Sequence, residues 1–220
     1  MTGRAMSQEI ARARDEALAA LDAFRAALAR FRRAAGAPPL FLLEKPAPEL
    51  PQAALEECRV FATRHQMMRA LVRGGIGGEI GVQHGHFSRF LLDEIAPERL
   101  HLFDMSDRLL RPDVRSDPRV EMHLGDSPSE LRKLPEARFD WLYIDGDHSY
   151  AGVCRDTRVA VTRLRETGLL IFNDYTPWSP GEAMAYGVMA CVNETVRAGW
   201  KMAGLALTAN GYFDVALRRA

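Results

Sequence analysis

A surplus of charge is what this sequence most plainly lacks: Lys plus Arg number 29 and Asp plus Glu number 29 in 220 residues. Without a global field the chain has no general means of drawing in nucleic acid or an anionic membrane. Cysteine is scarce as well. Cys58, Cys154 and Cys191 are scattered and form no C-x-x-C pair, a pattern that suggests reduced thiols buried as small apolar residues. No apolar stretch approaches the roughly 20 residues of a membrane span. The first residues carry Arg4, Glu9, Arg12 and Asp15, so they lack the apolar core of a secretion signal. The expectation is a soluble, cytoplasmic protein with no membrane partner.

Glycine and proline are absent from Ser7 to Ala35. Within that stretch Ile10, Ala17, Leu21, Phe24, Leu28 and Phe31 make an apolar stripe, which predicts an amphipathic helix over residues 1–36. The stripe suits packing on the helix's own domain or pairing with a second copy in a homodimer. Asp15, Glu16 and Asp22 interrupt the positive face and speak against a membrane-surface helix. Residues 37–51 then hold Pro38, Pro39, Pro46, Pro48 and Pro51, which forbid a helix and predict an extended connector. A second helix is expected from about Gln52 to Arg73, opening a main domain over residues 52–220.

Beyond Gly74-Gly75 short apolar runs alternate with amphipathic stretches, as in GGEIGV then HFSRFLLDEI, and FDWLYID then YAGVCRDTRVAVTRLRE. A further helix is expected near Glu182 to Ala198. This alternation predicts an α/β fold, Rossmann-like and doubly wound, with a mostly parallel seven-stranded sheet. LALTA and YFDVAL flank Asn210-Gly211, a hairpin signal that closes the sheet with an antiparallel pair.

The chain is organised around FDWLYIDGDHSY, residues 139–150. An apolar run ends abruptly in Asp145, Gly146, Asp147 and His148, at the carboxyl end of a strand, where open α/β sheets bind ligands. GLLIFNDY ends likewise in Asn173 and Asp174. Neighbouring strands lie roughly 4.8 Å apart, so two carboxylates, an amide oxygen and a histidine would converge. Adjacent strand residues point to opposite faces, so Asn173 and Asp174 can act together only where the chain leaves the strand. Asp147 also fits a helix cap, and Trp141 and Tyr143 fit the core.

Glu79-Ile80-Gly81-Val82-Gln83-His84-Gly85 marks a strand-to-helix turn that lets backbone approach a ligand. It is not G-x-G-x-x-G, because Gln83 holds the second glycine's place. A carboxylate inside this loop suits an ammonium or sulfonium better than a pyrophosphate. Asp104 ends the next apolar run and could accept a ribose's hydroxyls. Asp126-Ser127 ends the third, where it also reads as a helix cap ahead of Pro128, with Glu130 three residues after Ser127.

E-x-G-x-x-x-G, the acids after the second and third strands and the closing hairpin together resemble class I S-adenosylmethionine-dependent methyltransferases. IDGDHSY followed by ND narrows the resemblance to the metal-dependent O-methyltransferases of the macrocin and mycinamicin sugar type, over about Gly75 to Leu217. It implies that Glu79, Gly81 and Gly85 hold the methionine moiety, Asp104 the ribose, and Asp126 with Ser127 the adenine. Asp145, Asn173 and Asp174 would hold Mg²⁺ or Mn²⁺, and His148 would be the general base. Sugar-type enzymes often carry an acid where Asn173 stands, so the site here has less charge. The implied reaction is methyl transfer to a hydroxyl of a sugar or other small-molecule acceptor. Trp178, in a Pro/Gly/aromatic segment after the metal ligands, could stack on that acceptor. Two other readings stay open: a metal-dependent hydrolase or hydroxylase using the same Asp/His cluster, and a binding protein that keeps the fold without catalysis.

Overall fold

The computed structural model describes residues 3–209 and 211–220. The chain divides into two units, Met1–Leu42 and Leu43–Ala220. The first holds helix α1 (Gly3–Ala35). Gly36 stops it with φ +61°, the left-handed conformation in which helices commonly end. The chain then makes a single 3₁₀ turn, Leu40–Leu42, and the Phe41 ring meets Phe31 edge to face at 4.8 Å.

The second unit opens differently from its expectation. Where one long helix is predicted from Gln52 to Arg73, there is a 3₁₀ turn (Gln52–Ala54), a short strand β1 (Arg59–Phe61) and a helix α2 (Arg64–Leu71). Thr63 restarts the helix, its side chain accepting from Gln66 N at 3.2 Å, and Val60 pairs with Leu205 across the sheet edge. Sheet pairing has overridden local helix propensity.

The remaining elements alternate as predicted: β2 (Ile76–Ile80), α3 (His86–Phe90, extended by a π-helical turn to Ile95), β3 (Arg99–Asp104), α4 (Pro112–Arg115), β4 (Val120–Leu124), α5 (Ser127–Arg132), β5 (Phe139–Ile144), α6 (Tyr150–Arg163) and β6 (Leu164–Phe172). Two-residue strands β7 (Trp178–Ser179) and β8 (Met184–Ala185) form a small hairpin before α7 (Val188–Arg197), β9 (Trp200–Ala206) and β10 (Asp214–Arg219). Helix α7 therefore starts six residues later than predicted. Pro180-Gly181 turns the chain, and Gly181 N and Ser179 Oγ both bond to Tyr212 Oη, at 3.0 and 2.8 Å.

The sheet order is β1-β9-β10-β6-β5-β2-β3-β4. β10 runs antiparallel to both β6 and β9, and the other pairs are parallel. The mostly parallel sheet and its antiparallel close are as the sequence predicts, with β1 as an eighth strand at the edge. The closing turn is longer than a two-residue hairpin: residues 207–213 link β9 to β10. Asn210 lies outside the described residues, and Gly211 has φ +82°.

Apolar clusters pack on both faces of the sheet. Trp141 and Tyr143 are almost wholly buried, in the core as expected. No helix among the described residues is long and apolar enough to cross a membrane. From β2 the chain winds one way through β3 and β4, then returns to build β5 and β6 on the other side. The switch point between β2 and β5 is where open α/β sheets carry their ligand crevice.

Candidate functional site

A cleft of about 760 Å³ opens over that switch point, and its wall includes Glu79, Gly81, Asp104, Asp126, Ser127, Asp145 and His148. Gly85, Asn173 and Asp174 are not among the residues that line it.

The glycine loop is held by contacts that only a glycine permits. A Cβ on Gly81 would fall 2.0 Å from the Asp145 carbonyl oxygen, so a side chain here would push β2 and β5 apart. Gly85 caps α3 at φ +73°, with Leu110 where its Cβ would go. Between them Gln83 adopts φ +50°, the conformation a second glycine would take without strain.

Asp104 is partly committed to this loop. Its Oδ2 accepts from Val82 N and Gln83 N, both at 2.9 Å, and its Oδ1 accepts from Ser106 N at 3.1 Å. Burial opposes its charge, but these backbone N–H groups outweigh it and hold the carboxyl below its usual range. Met105 N–H adds a fourth backbone donor, so the carboxylate's roughly four acceptor positions are taken and a ligand hydroxyl must replace one of these donors or share an oxygen with it.

Glu79 belongs to β2 rather than to the loop, which corrects its expected placement. The residue is 1% exposed, and its carboxylate accepts from Ser88 Oγ at 2.5 Å. Burial, aided by Asp145 and Asp104, pushes its pKa up to about 8. Asp126 is the N-cap of α5, accepting from Ser129 N at 3.1 Å and Ser129 Oγ at 2.6 Å. Ser127 is therefore the first helical residue instead of the cap, and its Oγ donates to Asp156 Oδ1 at 2.5 Å.

At the β5 end, Asp145 Oδ1 accepts from Asn173 Nδ2 at 2.7 Å. Burial chiefly, with help from Asp174, pushes Asp145 up to about 7. β6 ends at Phe172, and Asp174 turns back with φ +53°, so the chain does leave the strand where the two side chains must turn together. Burial raises Asp174 as well. His148 Nε2 is buried without a hydrogen-bond partner, 3.6 Å from both Asp145 Oδ1 and Asp174 Oδ2. Burial lowers its pKa, leaving a neutral imidazole, and its ring stacks on Tyr186 at 4.5 Å. Asp147 serves the turn, accepting from Ser149 N at 2.9 Å, while Ser149 caps α6. Trp178, expected against an acceptor, is part of β7 and not of the cleft wall.

Two acids and a cation of the site carry little or no signal in the sequence. Arg64, on α2, lines the cleft and donates to Tyr143 Oη at 3.3 Å and Asn173 Oδ1 at 3.4 Å. Tyr143 Oη in turn donates to Asp214 Oδ2 at 2.5 Å. Asp214 is buried and pushed up to about 6, mainly by desolvation. Asp156 lines the cleft and is raised to about 6 by the same cause. A signal for Asp156 was present: it shares an i, i+3, i+4, i+7 stripe with Val153, Thr157 and Ala160, the buried face of an amphipathic helix. Asp214 has no such local marker.

The donor set tolerates both groups that the resemblance implies. A buried carboxylate with one hydroxyl partner suits a cation, and Asp145, Asp174 and an amide oxygen are hard donors suited to Mg²⁺ or Mn²⁺. As arranged, Asn173 turns its NH₂ to Asp145 and its oxygen to Arg64, so ligation through that oxygen needs the amide to turn. Among the described residues, the side chains that already lie within 4.8 Å of one another as a metal-holding group are His101, Glu121 and His123.

Residues 79–175 match the family model Methyltransf_24, described as a methyltransferase domain. No curated protein matches the sequence. Among solved structures, the pyocyanin biosynthetic protein PhzM is 17% identical over 72% of this chain and 55% of its own, with a TM-score of 0.56. N-methyltransferase NodS from Bradyrhizobium japonicum WM9, in complex with S-adenosyl-L-homocysteine, is 15% identical over 71% of this chain and 85% of its own, at 0.55. MycE methyltransferase, in complex with Mg, S-adenosyl-L-homocysteine and mycinamycin VI, is 19% identical over 70% and 48%, at 0.50. The chain spans about half the length of PhzM and MycE. At these identities the likeness is one of fold, the Rossmann-like fold of methyltransferases.

Proposed function

We propose, from a methyltransferase domain set on a methyltransferase fold, that this protein is an S-adenosylmethionine-dependent, divalent-metal-assisted O-methyltransferase acting on a hydroxyl of a sugar or other small molecule. The observation that carries this reading is one continuous cleft. It has the buried Glu79 and the Asp104-anchored loop on one side and the Asp145/His148 cluster on the other. MycE, which binds Mg and a mycinamycin, lends the metal part its support.

In this reading Glu79 and the loop around Gly81 and Gly85 hold the methionine moiety. Asp104 takes the ribose, a ribose hydroxyl sharing its carboxylate with the loop backbone, and Asp126 with Ser127 flanks the adenine. The cofactor supplies an electrophilic methyl group, so the protein's task is alignment and a deprotonated acceptor. His148, neutral and with Nε2 free of hydrogen bonds, takes the acceptor's proton. Asp145, Asn173 and Asp174 would hold Mg²⁺ or Mn²⁺, which would supply Lewis acidity that lowers the pKa of a hydroxyl beside it. The deciding experiment is calorimetric titration with S-adenosylmethionine and with its demethylated product, with and without Mg²⁺. Micromolar binding under both conditions is expected, and no binding under either overturns the reading.

We further propose that α1 pairs antiparallel with α1 of a second copy. Ile10, Leu21, Phe24 and Phe31 are exposed large apolar residues on its stripe. Its first half balances Glu9, Asp15 and Glu16 with Arg4, Arg12 and Arg14, and its second half carries Arg25, Arg30, Arg32 and Arg33 against Asp22. Antiparallel pairing keeps the two basic halves apart and sets each against a charge-balanced one. Sedimentation should show a dimer that Leu21→Glu with Phe24→Glu converts to monomer. A monomeric wild-type chain rejects the pairing.

A further inference from the structure

The β3/β4 edge carries a second constellation, which the methyl-transfer reading does not use. His101 stands opposite Glu121 in the ladder, and Phe103 opposite His123. Residues two apart on a strand share a face, so His101, Glu121 and His123 all project from the same side. His101 Nδ1 lies 2.9 Å from His123 Nε2 and 3.7 Å from Glu121 Oε2, and His123 Nε2 lies 3.6 Å from Glu121 Oε1. A tetrahedral Zn²⁺ with bonds of about 2.0–2.1 Å sets its donors roughly 3.3–3.4 Å apart. The two carboxylate distances run to different oxygens of Glu121, but one donor atom from each residue lies within 4.8 Å of the others, so turning the half-exposed Glu121 side chain closes the set on an ion.

We propose that His101 through Nδ1, His123 through Nε2 and Glu121 through a carboxylate oxygen form a zinc site, with solvent as the fourth ligand. The donor chemistry is right: two imidazoles and a carboxylate suit Zn²⁺ and its transition-metal neighbours, not Mg²⁺. The surroundings fix both rings. His123 stacks on Phe103 at 4.6 Å, and His101 meets Phe139 edge to face at 5.1 Å. The His101 side chain is fully buried while that of Glu121 is 49% exposed, so the carboxylate is the side by which an ion and its water reach the site. Burial lowers the pKa of both imidazoles, keeping them in the neutral, ligating form. One neighbour opposes the ion. Arg138 Nη2 lies 3.5 Å from His101 Nε2, so without metal Nε2 accepts and Nδ1 donates to His123. Ligation moves that proton to Nε2, and the guanidinium must swing outward.

His101 stands three residues before Asp104, roughly 10 Å along the strand at about 3.3 Å per residue. The ion would therefore clamp the two strands whose carboxyl ends lead to Asp104 and Asp126, behind the cleft rather than in it. Tag-free, chelator-stripped full-length protein, titrated with Zn²⁺ by calorimetry and with Co²⁺ by visible absorption, tests this. The expected result is one Zn²⁺ per chain, a tetrahedral cobalt spectrum and a raised Tm. His123→Ala and Glu121→Gln should each weaken binding at least tenfold, and Asp145→Asn should leave it unchanged. Glu121 is half exposed, so its substitution remains informative if His123→Ala fails to fold. No uptake by the wild type, uptake unchanged in Glu121→Gln, or uptake lost in Asp145→Asn overturns the site.

Discussion

Asp145→Asn reduces methyl transfer roughly 10³-fold or more while leaving S-adenosylmethionine affinity within about threefold; this is the largest effect expected of any single substitution. Stabilising the charge that develops on a reacting oxygen is worth several kcal/mol, and each 1.36 kcal/mol is about tenfold in rate. Asp145 lies at the junction of the cluster, bonded to Asn173 and 3.6 Å from His148 Nε2. Losing its charge would remove one metal ligand and leave the orphaned imidazole with only Asp174. The cofactor side of the cleft would be spared, because Glu79 and Asp104 take their hydrogen bonds from Ser88 and the loop backbone. A pH signature accompanies the loss. With its carboxyl pushed up to about 7, Asp145 must shed a proton to ligate, so Mg²⁺ affinity should rise up to about pH 7 and then level. Unchanged turnover in Asp145→Asn, measured under strict chelation, would remove both metal and carboxylate from the mechanism.

Glu79→Gln should weaken S-adenosylmethionine binding by roughly 10- to 100-fold, the scale of a hydrogen bond to a charged group at about 1.5–3 kcal/mol. The pH dependence is the sharper test. Burial holds the free carboxyl at about 8, so near pH 7 a bound cation must displace its proton. Affinity should climb by up to about tenfold per pH unit below pH 8 and flatten above it, with proton release visible in buffers of different ionisation enthalpy. Glu79→Gln should abolish that slope. Stability follows the opposite sign. A carboxyl whose pKa rises from 4.5 to about 8 on folding binds its proton more tightly in the folded state. Its stabilising contribution is therefore complete below about pH 4.5 and lost as pH rises towards 8. Thermal melts of the cofactor-free protein should show this decline, and Glu79→Gln should flatten its upper part, with the other raised carboxyls, Asp145, Asp156, Asp174 and Asp214, accounting for the rest. A pH-independent cofactor affinity in the wild type would mean that Glu79 does not face the cation.

What the sequence determined by itself was the part of the fold written in local patterns. Alternating apolar runs and helical stretches specify a doubly wound parallel sheet. Acids placed where those runs stop, Asp104, Asp126 and Asp145, had to collect at the carboxyl edge, because strands of one direction end on one side. The glycine loop was legible for the same reason, since Gly81 and Gly85 stand at a strand-to-helix turn. Tertiary structure alone decided the rest. The predicted helix from Gln52 broke into a turn, a strand and α2, because an edge strand was there for Val60 to pair with and no local propensity records that. Arg64 entered the cleft from α2, and the buried Asp214 joined its hydrogen-bond network from β10, 71 residues from the Tyr143 hydroxyl it accepts from. Such contacts join positions with no periodic relation in the chain. Above all, charge state was invisible in the sequence. Glu79, Asp145 and Asp156 read as ordinary carboxylates until the folded chain excluded water from them and raised their affinity for a proton.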